Sequence, residues 1–78
     1  MLHASEKYNR IQDPDGVIQD DEPVFLIRAQ DATAPEVMRF WAALHLSRRG
    51  DPVLYTEVMN HAKATEEWQH THGCKTAD

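Results

Sequence analysis

The sequence predicts a small α+β fold: a short N-terminal β-hairpin or meander followed by an αα-hairpin, assembled as a homo-oligomer. Turn signals and one β-branched run fill the first half of the 78 residues. Two helical periods, each with its own start and stop, fill the second half. The β-branched run and the first helix are both more apolar than one short chain can cover.

Taken in order, residues 1–7 carry no pattern and are expected to be a flexible N-terminus. YNRIQ-DPDG-VIQ follows. Asp-Pro-Asp-Gly is a strong turn signal, because proline presets φ and Gly16 accepts a positive φ. Ile11 on one side and Val17 and Ile18 on the other predict hairpin strands at about 8–12 and 17–20. Asp20-Asp21-Glu22-Pro23 breaks the chain. Val24-Phe25-Leu26-Ile27 predicts a strand at about 23–29. It is apolar on both faces, so it expects cover on both sides.

Thr33-Ala34-Pro35-Glu36 predicts a helix start, with Thr33 as cap, Glu36 closing a capping box and proline in the first turn. That helix should run from about 34 to 49, with Gly50 as a left-handed stop. Asp51-Pro52 starts a second helix, with Asp51 as cap, running to about 70. Leu54, Val58, Ala62 and Thr65 form its apolar stripe, flanked by Tyr55, His61 and Trp68. The first helix is apolar most of the way round. Val37, Phe40, Trp41 and Leu44 make one face, which Met38, Ala42, His45 and Leu46 continue. A helix of that kind is buried on more than one side, and this points to a second subunit. Residues 8–70 therefore read as one domain, and 71–78 as a flexible tail.

The bulk composition narrows the function classes. Net charge is −5, which disfavours nonspecific nucleic-acid binding. A single cysteine, Cys74, allows no disulfide within the chain and fits a reducing cytosol. The MLHASEKYNR start has no apolar core of a signal peptide, and no apolar run is long enough for a membrane span. The charge is uneven. Residues 1–22 hold six acidic side chains against two basic ones, whereas residues 28–49 hold four arginines against two acids. An arginine island in an acidic chain suits a local anionic ligand.

Arg28, Gln30, Arg39, Phe40, Trp41, His45 and Arg48 are the candidate ligand-binding set. Arg28, Gln30 and Arg39 would address phosphate or ribose, Trp41 and Phe40 would stack on or wall the pocket, and His45 and Arg48 would close it. The first helix's N-terminal amides add an anion site. The structural alternative pairs Arg28 with Asp31 or Glu36, leaves Arg48 as a cap and places Trp41 in the core. His70, His72 and Cys74 with Glu66 and Glu67 hold metal-ligand chemistry, but match no zinc spacing, so no metal or cofactor is expected. Glu57–His61 and Glu66–His70 are spaced to tune a histidine, yet such pairs are routine on helix surfaces. No nucleophile elbow, phosphate loop or HExxH accompanies them, so no catalytic residues are assigned and an enzyme is not expected. A DNA-reading second helix would carry Glu57, Glu66 and Glu67 against one lysine and repel phosphate.

The run DEPVFLIRAQDATAPEVMRFWA resembles a pattern in small uncharacterised bacteriophage and prophage proteins. Those carry a DEPVFLLRAQD-like strand and an APExxRxWA-like helix start. The upstream DPxG turn, the Gly50-Asp51-Pro52 junction, His61-Ala62 and Trp68 are similar too, over roughly residues 13–69. The resemblance implies a phage protein acting in the cytoplasm of an infected bacterium. By analogy of size, charge and oligomery, it implies an anti-defence sponge. Such a protein sequesters a cyclic-nucleotide or cyclic ADP-ribose-type immune signal between subunits without cleaving it. The alternative is an acidic interaction protein that binds and inhibits a host protein.

Overall fold

The structure, a computed structural model, describes residues 1–4 and 13–77. Its elements in chain order are β1 (Leu2–His3), β2 (Pro23–Val24), α1 (Ala34–Ser47) and α2 (Pro52–His72). The predicted αα-hairpin is present, and the two helices pack against each other. The β part is far smaller than expected.

The Asp-Pro-Asp-Gly turn forms as read. The Gly16 N–H donates to the Asp13 carbonyl at 3.0 Å, and Gly16 takes φ 61°. No hairpin grows from it. The expected strand at 8–12 lies outside the described residues, and 17–20 is not a strand. Asp13 supplies the reason on the second side. Its carboxylate accepts the Val17 and Ile18 amides at 3.3 and 3.0 Å, which takes up donors a ladder would need.

The expected strand at 23–29 shortens to Pro23–Val24. It pairs in parallel with β1, Leu2 opposite Pro23 and His3 opposite Val24. Proline fits the first position of a strand because it has no amide to offer. The Leu2 amide reaches the Glu22 carbonyl at 2.8 Å, and the Met1 ammonium reaches the Gln19 and Asp20 carbonyls. The N-terminal residues therefore hold a partner where no pattern predicted one. Phe25 to Arg28 lack regular structure, and Phe25 is 76% exposed. Apolar β-branched character did not suffice, because the ladder ends at His3–Val24.

α1 ends at Ser47, two residues short of the expectation, and α2 runs to His72, two beyond it. The helix core is small: Ala34 and Ala42 of α1 against Ala62 and Thr65 of α2. Pro35 is buried beside them. Alanines let the helix axes approach closely. The Thr65 hydroxyl returns to the His61 carbonyl at 2.8 Å and lies 3.7 Å from the Met38 sulfur. Arg39 forms an ion pair with Glu66 across the helices. Both side chains are about two-fifths exposed, so the pair adds at most about 1 kcal/mol. Among the described residues no large side chain is fully buried.

Candidate functional site

The junction between the helices is built by three short sequence signals. Asp51 caps α2, its carboxylate accepting the Val53 amide at 2.9 Å, and Pro52 follows at the first turn as expected. The end of α1 departs from the expectation. The Gly50 amide donates to the His45 carbonyl at 2.8 Å and the Arg49 amide to the Leu46 carbonyl at 3.1 Å. That pattern is a Schellman turn, and its left-handed position belongs to Arg49, at φ 63°, rather than to Gly50. Gly50 leaves room for the His45 imidazole instead: a Cβ there would make the ring shift.

His45 is held on two sides. Its ring stacks on Trp41, centroids 4.9 Å apart and planes 10° from parallel. Its Nε2 lies 3.3 Å from the Asp51 carbonyl. Trp41, Leu44, His45, Arg48 and Gly50 line an open groove of about 400 Å³. Trp41 is 46% exposed, so it is not the core residue of the structural alternative. Arg48 is exposed and makes no ion pair among the described residues. The groove thus offers an aromatic platform and a guanidinium side by side, the pairing that holds a planar anionic group.

The other candidates lie elsewhere. Arg28 is exposed in the loop before α1 and pairs with neither Asp31 nor Glu36 among the described residues. Arg39 is engaged with Glu66 on α2. Phe40 is 73% exposed and outside the groove. Gln30 lines a second hollow of about 260 Å³ at the opposite end of the hairpin, with Trp68, His72, Gly73, Cys74 and Lys75. A single chain therefore gathers Trp41, His45 and Arg48, and separates them from Arg28, Gln30, Arg39 and Phe40.

The entry to α1 corrects a second expectation. Thr33 makes no side-chain cap bond, so no capping box closes with Glu36. Asp31 does the organising: its Oδ1 accepts the Thr33 amide at 2.9 Å and the Thr33 hydroxyl at 2.8 Å. These bonds hold the Asp31 carboxyl below the usual carboxylate range. Sequence reasoning missed Gln69, whose Nε2 donates to the Ala29 and Asp31 carbonyls at 2.8 and 2.9 Å. It missed Lys75 as well. The tail read as flexible pairs with the loop: the Lys75 amide donates to Gln30 and the Ala32 amide to Lys75, at 2.9 and 2.8 Å.

A tryptophan four residues before a histidine occurs in both helices. Trp68 and His72 stack like Trp41 and His45, at 4.2 Å and 10°. That spacing was the one legible signal for the platforms. The His72 ring is further tied by Nδ1, 3.0 Å from the Trp68 carbonyl. Among the described residues no three His, Cys, Asp or Glu side chains group to hold a metal ion, and no helix is long and apolar enough to cross a membrane. No family model, curated protein or solved structure matches the chain.

Proposed function

We propose that this chain is a non-catalytic, homo-oligomeric binding protein that sequesters a small anionic nucleotide-like ligand. The observation that carries the reading is the Trp41–His45 stack with Arg48 beside it in one groove. An aromatic face takes a base by stacking, and a guanidinium takes a phosphate bidentately. A volume of about 400 Å³ falls within the range of small-molecule sites. The resemblance to small phage proteins supplies the biological setting, in which the ligand is an immune signal such as a cyclic nucleotide or cyclic ADP-ribose. In that setting the protein works in the cytoplasm of the infected host and blocks defence by holding the signal intact.

Native mass spectrometry of protein purified from a bacterium making such signals tests this. An oligomer carrying a nucleotide-sized adduct, lost in Arg48→Ala, is the expected result. Removing a charged hydrogen bond of this kind costs about 1.5–3 kcal/mol, or at least tenfold in affinity. Conversion of an added cyclic nucleotide into product would contradict a non-catalytic role.

A second reading has its own support. Asp20, Asp21, Glu57 and Glu67 are all exposed, which favours an acidic face that docks on a host protein. It predicts that changing these acids abolishes host binding and that Arg48→Ala does not.

A further inference from the structure

α1 carries two apolar faces, and α2 covers one. Ala34 and Ala42 are buried against α2, with Met38 half-buried between them. Val37, Phe40, Trp41 and Leu44, spaced as one stripe along the helix, remain 40%, 73%, 46% and 41% exposed. A 78-residue chain with no large buried side chain among its described residues has little core to set against that exposure.

We propose that this stripe pairs with the same stripe of a second copy of the chain, α1 antiparallel to α1 about a two-fold axis. The stripe is centred between Phe40 and Trp41, so antiparallel pairing sets Val37 of one copy opposite Leu44 of the other. The charges at its ends select the direction. Glu36 lies in the first turn, and Arg48 and Arg49 lie at the end; all three are exposed. Parallel pairing would set the arginines of two copies together. Antiparallel pairing sets them beside the second copy's Glu36, and self-complementarity of this kind is what a two-fold interface requires.

The arrangement also completes the groove. Arg28 and Gln30 precede the N-terminus of α1, whereas Trp41, His45 and Arg48 lie toward its C-terminus. Antiparallel pairing brings the second copy's Arg28 end toward the first copy's groove. Two such composite sites form per pair, from residues that one chain keeps apart.

The inference rests on the oligomeric part of the proposed function, and it is tested without ligand. Light scattering at high micromolar concentration is expected to give twice the 9.0 kDa of one chain. Phe40→Glu is expected to return the mass to 9.0 kDa with helical circular dichroism retained. A wild-type protein that stays at one chain's mass, or a Phe40→Glu protein that keeps the wild-type mass, overturns the proposal. Direction is tested in a Cys74→Ser background with Val37→Cys and Leu44→Cys chains, oxidised alone and mixed. A disulfide should form only in the mixture. Val37→Cys bonding to itself, or no bond in any sample, overturns the antiparallel pair even if Phe40→Glu fails to fold. Failure here leaves the Arg48-dependent adduct standing, and loss of that adduct leaves the pairing standing.

Discussion

The helix junction at 47–53 and the loop at 28–33 both deliver the chain into a helix, and they do it by different means. At the junction the contacts span six residues at most. Asp51 caps Val53, the Gly50 amide reaches back to His45, and the His45 ring lies over Gly50. The loop has local bonds of its own at Asp31, and it adds contacts from about forty residues away, where Gln69 holds two carbonyls and Lys75 adds a bridge. The junction is held by local contacts alone, whereas the loop joins its own Asp31–Thr33 bonds to contacts from α2 and the tail.

That contrast can be broken at Gly50. Gly50→Ala makes the His45 ring shift off Trp41, and losing an aromatic stack of this kind costs about 0.5–1.5 kcal/mol. Urea unfolding should show the loss, and Trp41 emission should change as the stack is displaced. Gly16→Ala meets no atom, so its cost is only the left-handed backbone's, about 1 kcal/mol. Gln69→Leu tests the other side. It strips the Ala29 carbonyl of its donor and leaves the Asp31 carbonyl with the Ala34 amide alone, a loss of about 1–3 kcal/mol. Its hydrogen-exchange signature should be confined to the Ala32 and Lys75 amides, with the junction unaffected.

Cap substitutions sharpen the comparison further. Asp51→Ala should cost about 1 kcal/mol, whereas Thr33→Ala should cost less, since Thr33 caps nothing. Equal losses would contradict the assignment of Asp31 as the organiser of the loop. Arg49→Gly should stabilise the protein by about 1 kcal/mol, because glycine takes φ 63° without the side-chain clash.

The smallest effect is acid sensitivity. The Asp31 carboxyl is lowered in the folded state, chiefly by the Thr33 amide and then by its hydroxyl. Its contribution is therefore present above the ordinary aspartate range and is lost as pH falls through the lowered value. Asp31→Asn should flatten the stability-against-pH curve below about pH 4. A curve superimposable on the wild type would remove Asp31 from the account.

Legibility in the sequence follows the same division. The Asp-Pro-Asp-Gly turn, both helices and the Asp51-Pro52 start were readable because each is decided within a few residues. Gly50 was singled out for the wrong reason, since no sequence rule sees the His45 ring above it. The 23–29 strand failed because a strand needs a ladder partner, and residue type cannot say how long that partner runs. Thr33 failed as a cap because Asp31, two residues earlier, engages its hydroxyl and takes the Thr33 amide that Glu36 would need to close the box. Within the candidate site, Trp41, His45 and Arg48 were legible from helical spacing. Arg39 was not, because its partner Glu66 lies on the other helix.

The most direct test of the central claim is a fluorescence titration of a Trp68→Phe chain, in which Trp41 is the sole tryptophan. The titrants are cyclic ADP-ribose and cyclic dinucleotides. Saturable quenching of Trp41 that disappears in Arg48→Ala is the predicted result. Trp41 emission indifferent to every titrant at millimolar concentration would contradict the groove as a ligand site and leave the acidic face as the surface to pursue.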